Sequence, residues 1–333
     1  MKRIAEILLL ALAILSVAII SGALLRAQQD PALDATRRRF PDVGAGFRAV
    51  RRGLDGSYYV LAPPTPAVLV FDSQGRKLRQ IPAQPRPGEI VLPNSLDIDA
   101  SGRLYIADLG GNAVSVYTAD GTLFGHFRVP APTQIIALPR DQFAVCSANA
   151  EHLIAVYDLH GTLLREFGEL ADLSDDVELN HRLNLGDLAS DKAGNLYFAF
   201  RYLPEPTVRK YDPTSGHLLD ELSLTTLDLQ PMAQSARQEI ARSAAGKAVS
   251  PHEIISALGV DPETQELWLA LGNLFMHFDN AGNNKGSNRA YTTSGARMVP
   301  NFVLVEKDHL LLGNDPLGIY AFPRSSGNVH RSE

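Results

Sequence analysis

Apolar and polar residues alternate in short runs along most of this chain, and Gly and Asp punctuate the runs every few residues. The clearest stretch opens at Asn94. Ser95-Leu96-Asp97-Ile98-Asp99 is followed by a turn at Ser101-Gly102, and Arg103-Leu104-Tyr105-Ile106-Ala107-Asp108 by a loop at Gly110-Gly111-Asn112. Val114-Ser115-Val116-Tyr117 and a turn at Asp120-Gly121 then lead into Thr122-Leu123-Phe124. Four runs of strand length, separated by residues that tolerate positive φ, describe an antiparallel four-stranded meander.

The unit repeats. Residues 68–72, 114–117, 154–158, 208–212, 275–279 and 318–322 each carry an aromatic shortly before a Gly turn, at Gly75, Gly121, Gly161, Gly216, Gly282 and Gly327. Apolar second runs at 58–61, 104–106, 143–145, 196–198, 267–269 and 310–312 keep the same count. Repeats at roughly 40–50 residues, each rich in strand and unable to bury both its faces alone, fit radial packing around a channel. The pattern predicts an all-β, six-bladed β-propeller with four-stranded antiparallel blades over residues 45–329. It is interrupted by insertions near 168–184 and 223–251. In the second, Met232, Ala236, Ile240 and Ala244 stand at near-helical spacing and predict a short amphipathic helix within 231–245. The segment from Phe40 to Phe47 is expected to supply the outer strand of the last blade and so close the ring.

The copy from Asn94 to Phe124 resembles an NHL repeat in Asp99-x-x-Gly102-x-x-Tyr105-Ile106-Ala107-Asp108, the Gly/Asn loop, the Val-x-Val-Tyr strand and the Asp-Gly turn. Ala113 stands where that family has a basic residue. The resemblance implies a propeller whose binding surface is the face carrying the loops that lead into the inner strands.

Lys2 and Arg3 precede an uncharged apolar stretch at residues 7–25 that Arg26 closes. Residues 1–27 therefore read as a signal peptide or a membrane anchor helix, and the protein as exported, periplasmic or extracellular. Cleavage and retention both stay open. Residues 28–44 read as a linker in which Arg37-Arg38-Arg39 forms a solvated tether, with contact to anionic lipid as the alternative. The membrane is a partner only through an uncleaved N-terminus.

Composition narrows the classes. Of 333 residues 45% are hydrophobic and 20% charged, with a formal net charge of −6, so the chain folds and lacks the basic face that nucleic acid requires. Cys146 is the single cysteine and lies in an apolar run, which assigns it to the core. No Gly-x-Ser-x-Gly elbow, phosphate loop or dinucleotide fingerprint occurs.

The candidate site is the channel rim. Asn94, Thr133, Asn184, His252 and Asn301 approach the inner strands, and Asp108, His152, Arg201, Tyr202, Asn314 and Asp315 lie in neighbouring loops. This mixture of donors and acceptors suits a polar small molecule, a sugar or a peptide segment. The nine histidines form no His-x-x-x-His pair, and only His181 and His252 are placed to bind a divalent metal, helped by Asp108 or Asp315. The expectation is a cofactor-free scaffold that recognises a protein, peptide or envelope glycan. The alternative is a metal-dependent, lactonase-like or lyase-like propeller enzyme acting at the channel mouth.

Overall fold

The computed structural model describes residues 31–62, 66–226, 229–247 and 250–324. The expected signal or anchor at 1–27 lies outside the described residues. Among the described residues no helix is long and apolar enough to cross a membrane.

Six blades of four strands form the ring. Blade 1 holds β3 (Ala49–Arg52), β4 (Tyr58–Leu61), β5 (Val68–Phe71) and β6 (Lys77–Ile81). Blade 2 holds β7 (Pro93–Ile98), β8 (Leu104–Asp108), β9 (Ala113–Tyr117) and β10 (Leu123–Arg128). Blade 3 holds β11 (Pro132–Leu138), β12 (Gln142–Ser147), β13 (His152–Asp158) and β14 (Leu163–Glu169). Blade 4 holds β15 (Gly186–Ser190), β16 (Leu196–Phe200), β17 (Thr207–Tyr211) and β18 (Leu218–Ser223). Blade 5 holds β19 (Ile255–Val260), β20 (Leu267–Leu271), β21 (Leu274–Phe278) and β22 (Asn284–Tyr291), with the short β23 (Arg297–Met298) on β22. Blade 6 takes β24 (Phe302–Val305), β25 (His309–Asn314) and β26 (Gly318–Pro323) from the end of the described chain.

Its outer strand comes from the other end, as expected, but from an earlier segment. β2 (Arg37–Arg39) pairs antiparallel with β26, while β1 (Ala32–Asp34) adds a parallel strand to β22. Two expectations fail here. Residues 28–44 are not merely a linker, and the three arginines are not a tether: Arg39 is buried, its guanidinium lies over the Phe40 and Tyr58 rings, and it donates to the Ser73 carbonyl. Three extended arginines satisfy an open sheet edge through their backbone, whatever their charge. Phe40 and Phe47, placed in the strand by sequence, instead fill the core where blades 6 and 1 meet.

The turn chemistry explains the repeat. Asp99 Oδ1 accepts from the backbone N–H groups of Ser101 and Arg103, each at 2.9 Å, while Gly102 takes φ +82°. A carboxylate that satisfies two turn amides fixes the reversal, and the positive φ favours Gly. Tyr105 donates to the second oxygen of Asp99 at 3.0 Å, which gives the Asp-x-x-Gly-x-x-Tyr spacing its physical content. Blade 4 has the same spacing in Asp191, Gly194 and Tyr197, with Tyr197 donating to Asp191 at 3.2 Å. Asp72, Asp158, Asp212 and Asp279 make the corresponding grip before the outer strands. In blades 1, 3, 4 and 5 the third-to-fourth strand register shifts at the aromatic before that turn: Phe71, Tyr157, Tyr211 and Phe278. Such a bulge bends the outer strand and turns the ring toward the neighbouring blade.

The core is not one mass but a set of seams. Separate buried clusters lie between blades 1 and 2, 2 and 3, 3 and 4, 4 and 5, 5 and 6, and 6 and 1. Second strands such as β8, β16 and β20 are buried at every position because both faces meet another blade. Of the two helices among the described residues, α1 (Val177–Leu183) sits in the first insertion and α2 (Gln230–Ala244) in the second. Leu179 and Leu183 of α1 pack against Ile240 of α2. Sequence periodicity found α2, but α1 is too short to show a period; the exposed Asp176 caps α1 by accepting from the Leu179 N–H at 3.0 Å.

The closing seam carries a buried carboxylate. Glu306 of blade 6 accepts from the Tyr58 hydroxyl at 2.9 Å and from Arg52 at 3.1 Å, both on blade 1, and lies 2.6 Å from His309 Nε2. Burial alone would raise the Glu306 carboxyl, but the bonds from His309 and Tyr58 outweigh it and hold it below the usual range. Burial, reinforced by Glu306, pushes the Tyr58 hydroxyl up to about 12. The bond to Glu306 raises His309 against a smaller opposing effect of burial.

Replacing Tyr58 by Phe should cost about 1.5–3 kcal/mol in denaturant unfolding, the range for a hydrogen bond to a charged group. The depressed Glu306 stabilises above its unfolded value of about 4.3, and this is lost as pH falls through its folded value. The raised His309 stabilises below its unfolded value of about 6.5, and this is lost as pH rises through its folded value. The pair therefore contributes most between these limits, and His309→Gln should flatten the alkaline limb of a melting-temperature profile.

Candidate functional site

The six inner strands enclose a cavity of about 230 Å³ whose lining includes residues of all of them, from Ala49 on β3 to Phe302 on β24. Its polar groups are arranged as ties between neighbouring blades. Arg51 Nε of blade 1 lies 3.4 Å from Asp97 of blade 2. The amide of Asn94, also in blade 2, donates to the Thr133 carbonyl of blade 3 at 2.7 Å. Gln134 of blade 3 donates to Asp187 of blade 4 at 3.2 Å. Arg201, after β16 in blade 4, donates to Asp187 at 2.6 Å and reaches Glu253 before β19 at 3.3 Å. Ser256 of blade 5 donates to the Pro300 carbonyl before β24 at 2.7 Å.

The charges respond as this packing requires. Asp187, then Glu253, raises the Arg201 guanidinium against desolvation, so it stays charged. Burial pushes the Asp97 carboxyl up despite Arg51 and the N–H of Ala137, which it accepts at 2.8 Å. The buried Cys146 thiol is also pushed up, by desolvation and then by Asp187, which suits a packing residue and not a nucleophile.

Of the residues expected at the rim, Asn94, Arg201 and Asn301 line the cavity, and Tyr202 borders it through a 3.4 Å bond to Glu253. The others do different work. Asp108 is buried and accepts from the N–H groups of Val91, Leu92 and Gly111 at 2.7, 2.7 and 3.1 Å, stapling the loop that leads into blade 2. Asn184 is buried as the end of α1, exchanging bonds with Ala171 and Asn180. His252 is exposed and turns to Glu239 of α2 at 2.9 Å. Thr133 bonds the Cys146 carbonyl, and with His152, His181 and Asn184 it borders a separate crevice between blades 3 and 4. Asn314 donates to the Val299 carbonyl at 2.5 Å, and Asp315 is exposed in the following turn. Neither lines the cavity.

His181 and His252 are thus parted, one in the crevice and one on α2. Among the described residues no group of three or more His, Cys, Asp or Glu is placed to hold a metal ion. Sequence reasoning missed Arg48, Arg51, Gln134, Asp187, Glu253 and Ser256, which the cavity gathers. Their signal was available: each precedes or lies within an inner strand, where alternation turns every second side chain to the channel. No residue of α2 lines the cavity; the helix packs by Ala233, Ala236 and Ile240, and its Glu239 holds His252, the neighbour of the cavity-lining Glu253.

No family model matches the chain, so the NHL resemblance rests on its motif residues. Among solved structures it is similar to a catalytically inactive virginiamycin B lyase from Staphylococcus aureus with quinupristin, at 12% identity over 87% of this chain and 88% of that one, TM-score 0.56. It is similar to hydrazine synthase of Kuenenia stuttgartiensis at 12% identity over 87% and 98%, TM-score 0.55. A third likeness is the extracellular domain of a one-component system from B. thetaiotaomicron, at 14% identity over 83% and 33%, TM-score 0.52. Identities at this level show a shared fold alone.

Asp187→Asn should lower stability by about 1–3 kcal/mol, because Arg201 and Gln134 lose a charged acceptor inside the ring. Asp108→Ala should destabilise by a similar amount in the same unfolding assay. Since Asp108 lies outside the cavity, it should leave ligand capture by the folded fraction unchanged.

Proposed function

We propose that this chain is an exported recognition propeller that seats a polar segment of a peptide, protein or envelope glycan in its channel mouth. The observation that carries the reading is the shared position of the polar cavity and both helical insertions. The loops leading into inner strands, which hold α1 and α2, emerge where Arg201, Glu253 and Asn301 line the opening. A rigid ring with variable walls suits recognition. A cavity of about 230 Å³ is smaller than the usual drug-sized site and fits one or two polar units of a larger ligand. Export is supported by the Lys2-Arg3 start and the apolar stretch at 7–25.

The metal-dependent enzyme reading has less support. One structural neighbour is a lyase, but no histidine is among the residues lining the cavity, and His252, the best candidate by sequence, is engaged by Glu239.

The purified full chain, probed on peptide and glycan arrays, should capture a ligand whose retention falls at least about tenfold in Arg201→Ala or Asn301→Ala, with melting temperature separating loss of binding from loss of fold. Array capture that both variants retain in full would sink the reading. Elemental analysis of the same preparation should find no stoichiometric Ca or Zn. One metal per chain, lost together with a His252 substitution, would favour the enzyme.

A further inference from the structure

Five of the six blade junctions are tied across the channel by a polar side chain: Arg51 with Asp97, Asn94 with Thr133, Gln134 with Asp187, Arg201 with Glu253, and Ser256 with Pro300. The junction between blades 6 and 1 differs. Its polar tie, Glu306 with Tyr58 and Arg52, is made at the far end of the inner strands, because Arg52 ends β3 and Glu306 follows β24. At the near end Arg48 precedes β3 and Asn301 precedes β24, in equivalent positions: their backbone N–H groups bond the carbonyls of Leu61 and Gly313, each at 2.8 Å. Both side chains line the cavity, and among the described residues neither has a side-chain partner.

Beside Asn301, on the blade 5 side, stands Glu253. Its Oε1 accepts from Arg201 and Tyr202, while Oε2 accepts from no protein group among the described residues. Once the satisfied groups are set aside, the mouth presents a free guanidinium, a free amide and a carboxylate oxygen in that order around one side. A guanidinium selects a carboxylate by paired N–H donors, and a carboxylate oxygen selects an ammonium.

We propose that this open junction binds a small zwitterion of about dipeptide size, its carboxylate on Arg48, its ammonium on Glu253, and Asn301 between them bonding an amide or hydroxyl of the ligand. The proposal rests on the channel mouth being the recognition site and names the chemistry it recognises. A ligand of one charge would leave either Arg48 or Glu253 facing an unmatched group, and an uncharged sugar would leave both.

The test is calorimetric titration of the full chain with alanyl-alanine, its N-acetyl derivative and its C-terminal amide. Blocking either end should weaken binding by about tenfold or more, the value of one hydrogen-bonded charge. Arg48→Gln should abolish the preference for the free acid over the amide while keeping the preference for the free amine. Glu253→Gln should do the reverse. Equal binding of all three ligands, or a preference for the free acid that survives Arg48→Gln, overturns the proposal. So does an absence of binding by all three. In that last case array capture that still depends on Arg201 and Asn301 leaves the recognition site standing with another ligand class, whereas capture indifferent to both removes the site as well.

Discussion

Every blade of this protein has two apolar faces and no solvent face, and the rest of the structure depends on that constraint. Second strands such as β8 and β20 are buried at every position, and the apolar clusters lie between blades and not within them. A blade without neighbours on both sides would expose one of these faces to water at roughly 25 cal/mol for each Å². The ring must therefore close, and the last seam must be made by segments from opposite ends of the described chain. β2 supplies the missing strand, Phe40 and Phe47 supply its apolar filling, and Glu306 supplies the polar lock with Tyr58.

Closure also explains how the channel is furnished. Inner strands that converge bring polar side chains of neighbouring blades within bonding distance, and in a confined space such groups must satisfy one another. Arg201 shows the principle best, because its donors are divided between Asp187 of its own blade and Glu253 of the next. Ties of this kind serve the ring before they serve a ligand. The seam where the two ends meet has its tie at the opposite end, so the mouth is left with groups the ring does not use.

The architecture was legible in the sequence because its turns need particular residues. Asp99 with Gly102 and Asp158 with Gly161 mark chain reversals that few other pairs satisfy, and aromatics such as Tyr157 and Tyr211 recur where the outer strands bulge. The rim was legible only in part, since position along the chain does not reveal which way a loop side chain turns. Asp108 and Asn184 are polar residues in the expected places, yet their loops bring backbone N–H groups into reach and consume them. His252 depends on α2, whose Glu239 faces it across the insertion. The arginines of β2 misled for a different reason: charge suggested solvent, whereas an open sheet edge asks only for extended backbone and a covered ring.

Glu253 and Arg48 pose the question of why exposed charges at a channel mouth should carry meaning when most surface charges carry none. The answer lies in their surroundings. A lone surface arginine is hydrated on all sides, and a ligand that pairs with it gains little. Arg48 instead stands at the edge of a cavity whose other lining charges Arg51, Asp187 and Arg201 already have partners. A ligand entering there meets no competing charge deeper in the channel, so its orientation is set by the two groups at the rim. The neutral, self-satisfied interior is thus what gives Arg48 at the blade 6 and blade 1 junction, and the open oxygen of Glu253 on the blade 5 side, their selectivity.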